Sequence, residues 1–395
     1  MTQKLPSKKA IRSAATVFLI SALVISYIIN VYFVLSTLGY LFDFGSFIAA
    51  GQLANAGQNP YANDSPLILS VKFTGNGQSG VAPNLNPPIS VLIFQRIATI
   101  PPSTSITIWR IATILFYSGG LFALQRTHPV RISQSLFRLF WAISLAGFWH
   151  AIQLGQIYTL AFLFTIGAWL FFNQNRPIVG GMLLGVLIAI KPNFVFWAVL
   201  LGIAGNWRAF LSAGLTAAGI SLIPLMTNGI KIYVQWLEAT SIFTPDLLLF
   251  PGNSSFQSLM ARFGSPETGI AMGALLVCYV AWHVFKTRPT MTKINALGII
   301  VSLLISPIAW TGYTLLALPI FFENQKWSWK LYLAAILFAV PFVFPLQLFQ
   351  TSFINFIVFG WFYGWGLLAL LYDELFTASI RVDQKAAMTS SIQTN

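Results

Sequence analysis

Residues 88–101 read Pro88-Ile-Ser-Val-Leu-Ile-Phe-Gln-Arg-Ile-Ala-Thr-Ile-Pro101. The stretch is apolar, but as a helix it would be only about 20 Å long, and it contains Gln95 and Arg96. The hydrocarbon core of a bilayer is about 30 Å thick. We therefore predict a helix that lies at a membrane interface and does not cross. A crossing here would move every later loop to the other side, so this stretch decides the topology of the fold.

The composition indicates that lipid is the main solvent of this chain. Apolar residues make up 56% of its 395 positions and charged residues only 8%, whereas a soluble domain carries about 25% charged residues. The formal charge of +13 comes from basic residues scattered between apolar runs, without a basic stripe, so we expect no nucleic-acid partner. The single cysteine, Cys278, lies in an apolar run and excludes a disulfide framework.

Apolar runs predict an all-α polytopic membrane protein with roughly 10–12 transmembrane helices. The first run follows a basic N-terminus and indicates a signal anchor whose N-terminus is cytoplasmic. Two long stretches are interrupted by Lys191-Pro192 and by Ser306-Pro307, and we predict that each is a hairpin with both ends on one side. Residues 1–373 are expected to form one transmembrane domain, and residues 374–395 a disordered cytoplasmic tail. The predicted spans are 14–38, 106–125, 137–152, 157–173, 209–227, 268–285, 329–346 and 353–372, with hairpins at 177–206 and 294–323.

The distribution of Lys and Arg supports an interfacial 88–101 segment. If it does not cross, 16 of the 22 Lys and Arg residues fall on the cytoplasmic side, as the positive-inside rule requires. If it crosses, most of them move outside. The 16 residues are Lys4, Lys8, Lys9, Arg12, Arg126, Arg131, Arg138, Arg176, Arg208, Lys286, Arg288, Lys293, Lys326, Lys330, Arg381 and Lys385.

This topology places two loops, 40–105 and 228–267, and both hairpin tips on the outer side. Within the first loop, Phe44–Gly57 carries small and apolar residues at helical spacing. We expect an interfacial helix there.

Asp43 is the candidate general base among nine acidic residues. It lies just after the first span, in Gly39-Tyr-Leu-Phe-Asp-Phe-Gly45, and its aromatic neighbours should desolvate the carboxylate and raise its basicity. An alternative role, which does not exclude catalysis, is the N-cap of the following helix. Because Gly45 stands where a second acid of a metal-binding pair would be, we expect no metal cofactor.

Four other outer residues are candidates for substrate binding. Lys191 and Arg262 could each hold a phosphate, or could be a snorkelling lysine and an arginine that contacts lipid headgroups. Gln153 and Gln156 could line a ligand site, or could cap and bridge helices. His150 is interpreted as a helix-end histidine with satisfied hydrogen bonds, not as a base.

Six further features occur in a fixed order along residues 40–320. They are Asp43-Phe44 with Gly57-Gln-Asn-Pro-Tyr61; Asn86-Pro-Pro88; Gln153-Leu-Gly-Gln156; Gly180-Gly181 through Ile190-Lys-Pro192; Asn253-Ser-Ser255 with Arg262; and Ser306-Pro-Ile-Ala-Trp310. As an ordered set they resemble the GT-C glycosyltransferases of family 87, which include the polyprenyl-phosphate-mannose-dependent α-mannosyltransferases.

The resemblance implies a GT-C fold and the transfer of a sugar from a polyprenyl-phosphate carrier to a glycolipid or glycan acceptor at the outer face of the plasma membrane. The lipid-linked donor is then a co-substrate, and no cofactor is implied. Asp43 would be the base, Lys191 and Arg262 would hold the lipid phosphate, and the two glutamines would line the sugar pocket. The other substrate-binding candidates are Tyr61, Asn86, Asn253, Trp310 and Tyr313.

One departure from the family concerns the segment after Trp310. Family members often carry one or two histidines there, whereas this chain has Thr311-Gly312-Tyr313. This departure motivates a second hypothesis, an inactive membrane scaffold. The two Pro-interrupted hairpins motivate a third, a membrane transporter or lipid flippase.

Overall fold

The computed structural model describes residues 8–36, 42–62 and 84–376, and every regular element in these ranges is a helix. The all-α prediction is confirmed, while most of the predicted tail lies outside the described residues. The helices are α1 Lys8–Ser36, α2 Phe42–Asn55, α3 Pro88–Ile97, α4 Pro102–Thr127, α5 Ile132–Ile143, α6 Ala146–Leu154, α7 Tyr158–Asn173, α8 Pro177–Ile190, α9 Val195–Ile203, α10 Trp207–Asn228, α11 Lys231–Leu248, α12 Phe256–Ala261, α13 Pro266–Thr287, α14 Met291–Leu304, α15 Leu318–Glu323, α16 Trp329–Ala339, α17 Val343–Leu348, α18 Phe353–Val358 and α19 Phe362–Phe376, with 3₁₀ segments at Pro192–Phe194 and Thr311–Ala317.

Four helices in the described ranges, α1, α4, α10 and α13, are long and apolar enough to cross a membrane, and the bent pair α5–α6 makes a fifth if it is counted as one span. The chain is therefore a multi-pass membrane protein. The predicted number of 10–12 also counts apolar helices of 10–17 residues, such as α7, α8, α14 and α16.

Three predicted spans are interrupted. The 137–152 span consists of α5 and α6, which meet at an angle of 41°. In the 329–346 span the helix ends at Ala339, and the 353–372 span includes a break before Phe362. Pro341 lies in the second break, where its missing N–H cannot continue a helical ladder, and Pro345 follows in the first turn of α17.

Polar side chains of α1 satisfy carbonyl groups that two of these breaks release. Asn30 Nδ2 donates to the Ser144 carbonyl oxygen over 3.3 Å, and the Ser26 hydroxyl donates to the Ala339 carbonyl oxygen. Inside a bilayer such groups have no water to bind. The breaks are therefore supported by α1 and are not frayed ends.

The first predicted hairpin is confirmed by the packing of α8 against α10. A Cβ atom at Gly181 would lie 2.5 Å from the Ala209 carbonyl oxygen, and one at Gly185 would lie 2.6 Å from the Ala213 carbonyl oxygen. Residue numbers increase in the same direction along both helices, so α8 and α10 are parallel. This is possible only because α9 returns the chain after Lys191.

The second predicted hairpin is also confirmed. Thr127, Asn173, Met291 and Glu323 line one cavity of about 590 Å³, so α14 begins where α15 ends. We call this the Glu323 end of the bundle, and the opposite end, which carries the hairpin tips, the Asp43 end.

The short helix α3 remains at the Asp43 end, as predicted. It has ten residues and is therefore about 15 Å long, half of what a crossing needs. Asn86, just before α3, contacts Lys191 at a hairpin tip. Trp109, in the next helix, donates to the Gly155 carbonyl oxygen at the same end.

The helix predicted at 44–57 is present as α2. Its residues from Phe44 to Gly51 are all buried, so this part of α2 packs inside the protein. Rings from α3 and α4 surround it, with Phe44 and Phe94 6.1 Å apart and Phe44 and Trp109 5.6 Å apart. The small residues of α2 admit these neighbours on several sides.

We predict that Gly185→Val lowers the thermal stability of the detergent-solubilised protein, because the neighbours of its Cβ position include backbone that cannot move away. Overpacking of this kind costs about 1–3 kcal/mol. Gly219→Val on α10 is the control, since nothing lies within 4 Å of a Cβ there. Equal unfolding temperatures for the two variants would contradict the parallel α8–α10 packing.

Candidate functional site

Lys191 lies at the tip of the first hairpin, where Pro192 ends the helix. Its Nζ donates to Asn86 Oδ1 over 2.6 Å. The same Nζ lies 5.2 Å from the ring centroid of Tyr313 and 5.8 Å from that of Tyr158. The ammonium is thus held by an amide oxygen and two aromatic rings, an arrangement that stabilises a cation without neutralising it.

Asn86 is oriented by hydrogen bonds from its own loop. Asn84 Oδ1 accepts from the Asn86 backbone N–H and from Asn86 Nδ2, over 3.0 and 3.1 Å. The Tyr61 hydroxyl donates to the Asn86 carbonyl oxygen over 3.0 Å. Because the Asn86 amide nitrogen is engaged in this way, its Oδ1 is presented to Lys191.

Asp43 is in the first turn of α2, and its carboxylate accepts a hydrogen bond from the Gln156 side chain. Desolvation by burial raises the pKa of Asp43 to about 6, although the Gln156 hydrogen bond and the Lys191 charge both lower it. Because α2 begins at Phe42, Asp43 lies inside its first turn and not at the N-cap position. A carboxylate with this pKa is ionised at neutral pH and more basic than an exposed one.

Gln156 reaches Asp43 because of the turn that precedes it. Gly155 ends α6 in the left-handed region, with φ of 69°, a conformation that favours glycine. The Ile157 backbone N–H donates to Gln156 Oε1 over 3.1 Å. The amide nitrogen of Gln156 is therefore the group that is left to donate to Asp43.

Tyr158 belongs to the same cluster, and sequence reasoning missed it. Its ring is fully buried and 4.8 Å from the Tyr313 ring, and its hydroxyl has no hydrogen-bond partner among the described residues. The hydroxyl is within electrostatic range of Asp43. Its position two residues after Gln156 could have indicated this role. Tyr158 instead falls within the predicted apolar span 157–173.

The predicted residues Gln153 and Asn253 lie outside this cluster of hydrogen bonds. Gln153, on α6, is partly buried. Asn253 is fully buried; its Nδ2 donates to the Pro307 carbonyl oxygen over 3.2 Å, and its Oδ1 accepts from the Ala309 N–H over 3.0 Å. The amide of Asn253 therefore fastens the tip of the second hairpin, which is a structural role.

The prediction that Arg262 holds a phosphate is wrong, because Arg262 is a structural residue. It is 4% exposed and donates to the carbonyl oxygens of Leu249, Phe250 and Gly360 over 2.9, 3.2 and 2.7 Å. These bonds hold the break before α19 against the loop before α12. Both terminal nitrogens of the guanidinium donate to backbone, Nε has no partner among the described residues, and the group does not join Lys191.

The fold and site thus define a multi-pass membrane protein. At one end of its bundle lie the Asp43 carboxylate, the Lys191 ammonium, and neighbouring amide and phenol side chains. The family model of glycosyltransferase family 87 matches residues 84–307, more than half of the chain, and the chain belongs to that family. Asn86, Gln156 and Lys191 fall within the match, whereas Asp43 precedes it. No curated protein sequence and no solved structure matches the chain. Membership favours glycosyl transfer over the transporter hypothesis.

We predict that Arg262→Met destabilises the protein by about 3 kcal/mol or more, because several buried carbonyl groups lose a charged donor. Thermal unfolding in detergent measures this, with Arg96→Met, at an exposed position, as the control. An unchanged unfolding temperature together with weakened binding of polyprenyl phosphate would restore the phosphate role.

Proposed function

We propose that this protein transfers a sugar, mannose or another hexose or pentose, from a polyprenyl-phosphate carrier to a hydroxyl group of a glycolipid or glycan. The observation that carries the proposal is the convergence of Asp43, Gln156 and Lys191 in a chain of glycosyltransferase family 87. A base and a cation on neighbouring elements are what this reaction requires.

In the proposed step, the acceptor oxygen attacks the anomeric carbon of the donor sugar. The bond between that carbon and the phosphate oxygen breaks, the acceptor proton moves to Asp43, and polyprenyl phosphate leaves. One displacement inverts the anomeric configuration. The raised pKa of Asp43 supports its role, because a base should have a pKa near the working pH.

Lys191 is proposed to stabilise the leaving phosphate, where negative charge develops. An ammonium has three N–H donors, and its one hydrogen bond to a described residue is that to Asn86, so donors remain for phosphate oxygens. The unpartnered Tyr158 hydroxyl is a further donor. The proposal assigns no metal, since the site supplies its own cation.

We further propose that the Asp43 end faces outward at the plasma membrane and that the N-terminus is cytoplasmic. Basic residues at helix ends support this orientation: Arg126 in the last turn of α4, Arg176 before α8, and Lys286 and Arg288 at the end of α13. These belong to the Glu323 end, which the positive-inside rule assigns to the cytoplasm.

We predict that Asp43→Asn lowers transfer by about 10²–10⁴-fold, because the amide cannot accept the acceptor proton. The assay measures transfer from labelled polyprenyl-phosphate mannose to a membrane glycolipid extract. The unfolding temperature should not fall, since the substitution removes a desolvated carboxylate. Glu238→Gln, at an exposed acid on α11, is the control, and undiminished transfer by Asp43→Asn would refute the assignment.

We also predict that transfer rises with pH around a midpoint near 6, the pKa of Asp43, and falls again above about 8, the pKa to which burial lowers Lys191. Below this midpoint the carboxyl is protonated and cannot act as a base, so the acidic limb of the profile belongs to Asp43. The measurement is kcat/KM for the acceptor as a function of pH. A profile that is flat through the midpoint would speak against Asp43 as the base.

A further inference from the structure

Four aromatic rings from four separate segments adjoin one another beside the site. The His150 ring on α6 lies 4.7 Å from the Phe342 ring, in the break after α16. Phe342 lies 6.3 Å from Phe250, and the Phe250 ring meets the Trp310 ring edge-on at 5.6 Å. We call these four residues the aromatic box.

His150 is the polar member of the box, and its hydrogen bonding is incomplete. The residue is only 8% exposed, yet Nδ1 has no partner among the described residues. The expectation of a satisfied helix-end histidine is therefore wrong. Leaving a buried ring nitrogen unpaired is unfavourable, so the position calls for a hydrogen-bonding partner that the described residues do not supply.

The chemistry of the box suits an uncharged sugar ring. A sugar offers apolar C–H faces that pack on aromatic rings and hydroxyl groups that hydrogen-bond to a ring nitrogen. None of the four residues carries a fixed charge, and Trp310 and Phe250 are only partly buried. The cation that suits a phosphate, Lys191, lies instead between Tyr158 and Tyr313. The box and the cation thus offer different chemistry.

The box is connected to the proposed base along α6. Gln153 follows His150 by three residues, so the two lie on one helix face, and Gln153 is partly exposed. Gln156, just beyond the end of α6, hydrogen-bonds to Asp43. On the other side, Trp310 directly precedes the Thr311–Ala317 segment, whose Tyr313 approaches Lys191.

We propose that the aromatic box is the acceptor subsite: it binds a sugar ring of the acceptor, with His150 Nδ1 and Gln153 as hydrogen-bonding partners of its hydroxyl groups. A further hydroxyl of the bound acceptor is then presented to Asp43. This assignment rests on the proposed function, and it adds where a sugar ring of the acceptor binds and that the ring is recognised by stacking.

Binding is tested first without donor, by saturation-transfer NMR on the full-length protein in nanodiscs with methyl α-mannopyranoside and methyl α-glucopyranoside as probes. We expect saturation of the sugar C–H protons with at least one probe, and its loss in His150→Leu and Trp310→Ala. His150→Asn, which keeps a polar atom near the position of Nδ1, should retain it. His283→Leu is the matched control, since a ring nitrogen of His283 on α13 also has no partner in the described part of the chain. Equal signals in all variants would overturn the subsite.

Steady-state kinetics then distinguish an effect on acceptor binding from an effect on donor binding. With labelled polyprenyl-phosphate mannose and octyl α-mannoside, His150→Leu should raise the acceptor KM about 10- to 100-fold and leave the donor KM within about twofold. His150→Asn should recover most of the loss. An equal rise in both KM values, or a fall in kcat alone, would contradict the subsite.

The two experiments distinguish the two proposals. Saturation transfer that depends on His150, with no turnover from any lipid-linked sugar, would overturn the proposed function while the sugar-binding box stands. Turnover that is unaffected in Trp310→Ala and His150→Leu would overturn the box while the transferase stands.

Discussion

The 2.6 Å hydrogen bond from Lys191 to Asn86 joins the two parts of the chain that build the site. Lys191 reaches this position because the glycines of α8 let α10 pack closely and α9 turns back. Asn86 reaches it because α3 is too short to cross. A partly buried ammonium is costly without partners, so this contact and the two tyrosine rings restrict where the hairpin tip can lie. The same charge acts on Asp43 and limits the rise of its pKa.

Features that depend on segment length and local residue type could be predicted from the sequence. A ten-residue apolar helix cannot span a bilayer, and a Lys-Pro pair in an apolar run ends a helix, so α3 and the first hairpin were predictable. Asp43 and Gln156 were also predictable as polar residues at predicted helix ends. Their hydrogen bond to one another was not, because it depends on the left-handed turn at Gly155.

Features that depend on tertiary partners were not predictable. Lys191 and Arg262 have the same sequence character, each a single cation at the outer side, but Arg262 meets carbonyl groups released by a break near Gly360. That break is too short to lower the hydropathy of its span. Burial of α2 depends on rings contributed by α3 and α4, and the unpaired nitrogen of His150 shows only once its neighbours are placed.

The central claim is that the Asp43 end binds a lipid-linked sugar with its phosphate at Lys191. The most direct test is a cryo-electron microscopy structure of the Asp43→Asn variant in nanodiscs with polyprenyl-phosphate mannose. We expect phosphate density within hydrogen-bonding distance of Lys191 Nζ and the anomeric carbon facing residue 43. Phosphate density elsewhere, for example in the cavity at the Glu323 end, would contradict the account.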